Sequence, residues 1–166
     1  MANVTGCVLG NRGKPRVSRS ILVINGPNLN QLGQREPHIY GHTTLDEIKT
    51  ATVARGNTHG LDVDFRQSNS EAEIIGWIQT ARGKTQGLII NGAGLTHTSV
   101  AIMDALLAVD QPVIEVHLSN LFRREEFRHH SFISRAATGM ICGLGAQGYM
   151  IAVDAIAELI RKAGKA

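Results

Sequence analysis

Ile21-Leu22-Val23-Ile24, followed at once by Asn25-Gly26-Pro27-Asn28, decides how this chain is read. Four consecutive apolar residues predict a short strand buried on both faces, and the Asn-Gly-Pro-Asn string ends it in a loop. Outward from this strand the pattern repeats. Leu61-Asp62-Val63-Asp64-Phe65 alternates with period two, which predicts a half-exposed strand near a sheet edge. Gly87-Leu88-Ile89-Ile90 and Val113-Ile114-Glu115-Val116 are further buried strands, and a last short one is expected around 139–142. Helical segments separate them. Thr44-Leu45-Asp46-Glu47 has the capping-box pattern and opens a polar helix; Ser70-Glu71-Ala72-Glu73 repeats it before Ile74, Ile75, Trp77 and Ile78. Thr98 or Thr96 is expected to cap a helix holding Val100, Ile102, Ala105, Leu106 and Val109. A final helix carries Tyr149, Ala152, Val153, Ile156 and Ile160 at helical spacing.

Five strands separated by helical crossovers predict an α/β fold, a parallel sheet covered on both faces. Five is the strand count of the flavodoxin-like doubly wound fold, a three-layer sandwich with strand order 2-1-3-4-5. With 166 residues, 43% hydrophobic and 19% charged, the chain is long enough for one domain and too apolar to be disordered. Residues 1–19 carry Arg12, Lys14, Arg16 and Arg19 and no acid, so they hold +4 of the formal charge of +3. The remaining 13 basic and 14 acidic residues sum to −1. The expected division is therefore a basic, flexible tail over 1–19 and a single flavodoxin-like domain over 20–166. A nearly neutral body with few aromatics argues against a nucleic-acid partner. No run is long enough for a membrane span, and the tail has the charge order wrong for a secretory signal. Cys7 and Cys142 form no disulfide framework, and Cys142 is expected to be a buried thiol. These features predict a cytoplasmic protein without a membrane partner.

Doubly wound sheets bind ligands at the carboxyl ends of their strands, where the order reverses. Polar residues collect there. The loop over 28–41 is long for a strand–helix connection and holds Arg35 and Tyr40, which could close over a ligand or simply be a solvated arginine and a packed tyrosine. The loop from Asn91 to Ser99 runs into a helix, but lacks the ending of a phosphate loop. Gly143 to Gly148 spells G-x-G-x-x-G after the last strand, where no βαβ unit follows, so it reads as close packing and not as a cofactor site. Glu115 and His117 fall on one face of their strand, an orientation suited to a general acid and equally to a structural ion pair. His129 and His130 make a poor metal pair. The run Arg123-Arg124-Glu125-Glu126, with Arg128, reads as a solvated helix face or as a carboxylate-binding arginine cluster.

Taken together, these strings resemble the type II 3-dehydroquinate dehydratase family. The matching stretches are 24–30, 32–37 with Tyr40-Gly41, Gln67-Ser68-Asn69, 94–101, 115–120, 124–128 and 143–145 with Gly148-Tyr149. They run in order from about Ile21 to Ala157. The resemblance implies dehydration of 3-dehydroquinate to 3-dehydroshikimate by anti elimination through an enolate, with no metal and no cofactor. That step belongs to the shikimate pathway, for aromatic amino acid biosynthesis, and also to quinate catabolism. By the same resemblance Tyr40 is the base, favoured as tyrosinate by Arg35 and Arg124, and Asn28 holds the water or donor that meets the enolate oxygen. His117, oriented by Glu115, protonates the leaving hydroxyl. Asn91, His97 and Arg128 bind ring hydroxyls, while Ser119 and the Leu118 backbone hold the carboxylate. Asp104 reaches a neighbouring subunit's site within a trimer, four trimers forming a homododecamer. Met103 stands where the family usually has Arg, and Leu121-Phe122-Arg123 replaces a more typical Ile-His-Ala. The unrelated type I enzymes use a Schiff-base lysine, and none of Lys14, Lys49, Lys84, Lys162 or Lys165 sits at a strand end in an apolar pocket.

Overall fold

The apolar runs do become strands. In the structure, a computed structural model that describes residues 19–34 and 42–164, β1 is Ser20–Asn25, β2 Asp62–Gln67, β3 Gly87–Asn91, β4 Val113–His117 and β5 Gly139–Cys142. All pairings are parallel and the order is β2-β1-β3-β4-β5, the doubly wound, flavodoxin-like arrangement. The helices are α1 (Leu45–Thr58), α2 (Glu71–Ala81), α3 (Val100–Leu107) and α4 (Gln147–Ala163). Every residue of β3 and β4 is buried, whereas β2, at the edge, alternates exposed Asp62 and Asp64 with half-buried Val63 and Phe65.

Strand alternation divides the core in two. Ile21, Val23, Ile89, Ile114 and Val116 pack with α1 and α4 on one face. Leu22, Ile24, Leu88, Ile90 and Val113 pack with α2 and α3 on the other. Each fully buried Ile or Leu contributes about 1.5–3 kcal/mol relative to exposure. α1 is polar along most of its length and buries only Ile48, Thr52 and Gly56. A complete capping box stabilises its start: Thr44 Oγ1 accepts from the Glu47 backbone N–H, and Glu47 accepts from that of Thr44.

Several local expectations need correction. The second capping box is half formed: Ser70 accepts from the Glu73 N–H, but the Glu73 carboxylate accepts from the Ser68 hydroxyl instead. Neither Thr96 nor Thr98 caps α3. Ser99 does, its Oγ accepting from the Ile102 N–H at 2.8 Å, because a 3-10 turn over Ala93–His97 carries the chain past both threonines first. Cys142 is half-buried, since β5 is the other sheet edge. The charged run after β4 is a succession of 3-10 turns, Leu121–Arg123 and Glu126–Arg128, and not one helix.

Candidate active site at the switch point

β1 lies between β2 and β3, so the chain leaves β1 and β3 in opposite directions and opens a crevice at their carboxyl ends. Asn25 pairs in register with Asn91. Beyond them the two loops touch: the Gly26 N–H donates to the Asn91 carbonyl at 2.8 Å. A Cβ at Gly26 would sit 2.4 Å from the Gly92 carbonyl oxygen, so the approach requires glycine. Asn28 follows with φ of 67°, the left-handed region that Asn tolerates better than most residues. Its N–H donates to Asn69 Oδ1, which also accepts from Gln67 Nε2. The Gln67-Ser68-Asn69 string after β2 thus acts as a brace for Asn28.

A cleft of about 160 Å³ opens here between the loops after β1, β3 and β4. Asn28, Asn91, His97, His117, Leu118, Ser119, Arg124 and Arg128, eight of the residues singled out in the sequence, line it. Glu115 lies beneath His117 with no exposed surface, and its Oε1 is 2.7 Å from His117 Nε2. Nδ1 therefore lies on the opposite edge of the His117 ring. Ser131 and Ser134 also donate their hydroxyls to the Glu115 carboxylate. Burial is the largest single influence on this carboxyl and pushes its pKa up. The hydrogen bonds from His117, Ser134 and Ser131, with the His117 charge, together outweigh burial and hold the value below the usual range.

His97 stands beside His117, ring centroids 6.5 Å apart and nearly parallel. Its Nδ1 lies 2.7 Å from the His130 carbonyl, which can only accept, so Nδ1 carries a hydrogen and Nε2 is the other ring nitrogen. Partial burial, with the His117 and Arg128 charges, holds the His97 pKa below the ordinary value; the His130 carbonyl and Glu115 oppose this. At the mouth, Arg124 Nη1 donates to Ser119 Oγ at 3.4 Å. Glu125 accepts from Arg128 Nε at 2.9 Å and forms an ion pair with Arg124, whose Nε is 3.3 Å away. Two guanidiniums beside a serine hydroxyl suit an anionic ligand such as a carboxylate.

Asp104, expected to reach a neighbouring subunit's site, lies on the exposed face of α3 and does not line this cleft. Arg35 and Tyr40 lie outside the described residues. Sequence reasoning missed Ser131, Ser134, Glu125 and Asn25. The first three follow no periodic element that would place them, and Asn25 carries no signal of its own beyond ending a strand within a family-like stretch. Among the described residues no group of three or more His, Cys, Asp or Glu converges as a metal site.

A buried carboxylate–imidazole pair beneath an arginine-rimmed crevice defines the class: an α/β protein equipped for acid–base work on a small anion. Residues 19–157 match the family described as Dehydroquinase class II, and the chain belongs to that family. It is 55% identical over 142 residues to "3-dehydroquinate dehydratase 2" of Pseudomonas putida, covering 86% of this chain and 95% of that protein. It is 54% identical over 138 residues to "Catabolic 3-dehydroquinase" of Penicillium rubens, covering 83% of this chain and 89% of the relative. Among solved structures, the type II dehydroquinase of Propionibacterium acnes superposes with a TM-score of 0.81 at 48% identity, over 86% of this chain and 98% of that one.

Proposed function

We propose that the chain is a 3-dehydroquinate dehydratase, a hydro-lyase that converts 3-dehydroquinate to 3-dehydroshikimate and water through an enolate. The observation that carries the reading is the Glu115–His117 pair under the cleft, in a chain that belongs to the dehydroquinase class II family. Tyr40 as base takes the proton beside the ketone, and the electron pair moves onto the carbonyl oxygen to form the enolate. Arg35 and Arg124 favour the tyrosinate that this step needs. Asn28, braced by Asn69, supplies or holds the donor for the enolate oxygen. The enolate collapses as the C1–oxygen bond breaks, and His117 gives its proton to that oxygen, which leaves as water. Glu115 orients His117 for this transfer. Asn91, His97 and Arg128 hold ring hydroxyls; Ser119 and the Leu118 backbone hold the substrate carboxylate, with Arg124 donating to Ser119.

The chemistry assigned to these residues uses no metal and no organic cofactor. The reading includes a single catalytic domain over 20–166 with a basic tail over 1–19, a cytoplasmic location and a homododecamer of four trimers. Asp104 on the exposed face of α3 supports a contact between subunits. Relatives carry both a general and a catabolic name, and the same elimination serves aromatic amino acid biosynthesis and quinate breakdown. The test is direct. Purified protein mixed with 3-dehydroquinate is expected to generate the conjugated enone absorbance of 3-dehydroshikimate. Protein that leaves the substrate unchanged overturns the reading.

A further inference from the structure

Asn25 and Tyr149 are buried completely, and neither lines the cleft. They nevertheless form one hydrogen-bonded chain with Asn91, which does. The chain begins at the Arg66 carbonyl and ends at the Ala93 N–H, two backbone groups whose character cannot reverse. The Arg66 carbonyl only accepts, so the Asn25 atom facing it at 2.9 Å is Nδ2. Oδ1 of Asn25 then faces Tyr149, whose hydroxyl donates to it at 2.6 Å. The phenol oxygen in turn accepts from Asn91 Nδ2 at 2.9 Å. At the far end Asn91 Oδ1 accepts from the Ala93 N–H at 3.2 Å. Ala93 has φ of 49°, uncommon for a residue with a Cβ, and this bond helps to hold its N–H there.

From this we infer that Tyr149 and Asn25 are positioning residues that fix the sense of the Asn91 amide, so that its second Nδ2–H is offered to a ligand oxygen in the cleft. The first Nδ2–H is committed to Tyr149, and the second has no acceptor among the described residues. A reversed amide would set an NH2 group against the Ala93 N–H and would strand both donors. Burial pushes the Tyr149 phenol pKa well up, so the hydroxyl stays protonated and its direction is the same across the working pH range. The chain crosses β2, β1 and β3 at the switch point and links Asn91 to backbone on both sides. Asn91 therefore presents a donor to a substrate hydroxyl.

The inference rests on the proposed activity, and a double-mutant cycle separates the two. Wild type, Tyr149→Phe, Asn91→Ala and the double variant are compared for kcat, KM and thermal midpoint. Tyr149→Phe is expected to raise KM for 3-dehydroquinate about 10-fold with kcat within about 3-fold, since a contact to a ring hydroxyl is shared by ground and transition states. In the Asn91→Ala background the same change is expected to leave KM unaltered, because its effect runs through the missing amide, while still lowering the midpoint. Should Tyr149→Phe not fold, Asn25→Ser replaces it in the cycle; its hydroxyl is too short to reach the phenol. A KM that does not move in the single variant, or one that rises equally in both backgrounds, overturns the inference. So does failure of both variants to fold, which assigns the network to folding. A wild type without activity on 3-dehydroquinate overturns the reading of function and this inference with it. An active wild type with independent effects overturns the inference alone.

Discussion

Glu115 has no exposed surface, and a charge taken from water into a protein interior costs several kcal/mol unless it is met by partners. His117 was legible as one partner, because a strand returns to the same face after two residues. Ser131 and Ser134 were not legible: they lie 16 and 19 residues further on, in a segment of short turns with no period to place them. Their hydrogen bonds join the larger one from His117 in holding the Glu115 pKa low against burial, and the pH dependence follows from that sign. The Glu115 contribution to stability is complete above the unfolded carboxyl value, about 4.3, and is lost as pH falls through the lower folded value. His97 acts at higher pH. Its folded value is depressed, so the unfolded chain takes up a proton first, and stability falls as pH drops below about 6.5. Urea midpoints measured from pH 8 to 3 are expected to decline in these two stages. Glu115→Gln is expected to flatten the lower stage; an acid limb identical to wild type would show that Glu115 does not carry it. For catalysis, Tyr40→Phe and His117→Ala each remove one of the proposed proton-transfer groups, so kcat is expected to fall by at least about 100-fold, with the fold kept. Steady-state rates and circular dichroism on the same samples check both halves of that statement.

The helices and strands were legible wherever burial dictates composition. β3 is buried on both faces and reads as a continuous apolar run, β4 is as buried but interrupts its apolar run with Glu115, and β2 reads as alternating because one of its faces is exposed at the edge. Ends are decided by finer competition. Thr96, Thr98 and Ser99 all have capping chemistry, and the 3-10 turn over Ala93–His97 selects Ser99. Ser99 is almost fully buried, so no water can replace its bond to the Ile102 N–H. Ser99→Ala is expected to lower unfolding free energy by about 1 kcal/mol, within the usual 0.5–2 for an N-cap, while Thr98→Ala does little. Equal losses from the two variants in a denaturant titration would reverse the assignment. The charged run after β4 misled for a related reason. Its alternating signs suit a helix face, but Glu125 turns back to bind Arg124 and Arg128, and the chain stays in 3-10 turns that present both guanidiniums to the cleft. Between the elements, Gly26 sets how closely the β1 and β3 loops approach. Gly26→Ala places a Cβ against the Gly92 carbonyl, so about 1–3 kcal/mol of overpacking is expected, with Asn28 and Asn91 pushed apart. Activity is then expected to fall further than the loss of folded protein explains, which rate measured per folded molecule would reveal.

On the scale of the whole molecule, α3 joins the interior to a surface that one chain leaves uncovered. Val100, Asp104 and Leu107 follow one another at i, i+4 and i+7, so they share a face, and Val100 and Leu107 are 47% and 58% exposed. An acidic side chain between two exposed aliphatics is poorly explained as a solvated helix face. It suits a contact in which the aliphatics are buried and the carboxylate reaches a polar site across it. Asp104 does not line the cleft of its own chain, which agrees with the family-based expectation that it serves a neighbour's. Half-buried Met103 beside it lacks the charge of the arginine usual in the family but packs readily as a flexible apolar side chain. The contact should therefore depend on apolar burial more than on ion pairing. At 1 M salt the screening length is about 3 Å, which weakens exposed charge contacts and leaves apolar ones intact. Sedimentation is expected to give the same assembly at low and high salt, a dodecamer or at least a trimer. Leu107→Arg, which puts a charge into the proposed seam, is expected to shift it toward smaller species. Asp104→Ala is expected to leave the assembly in place yet raise KM, because on the proposed reading it withdraws a group from the neighbouring cleft. A fully active monomer at either salt concentration would remove the basis for a shared site, since a carboxylate on the outer face of α3 could not then act on any cleft at all.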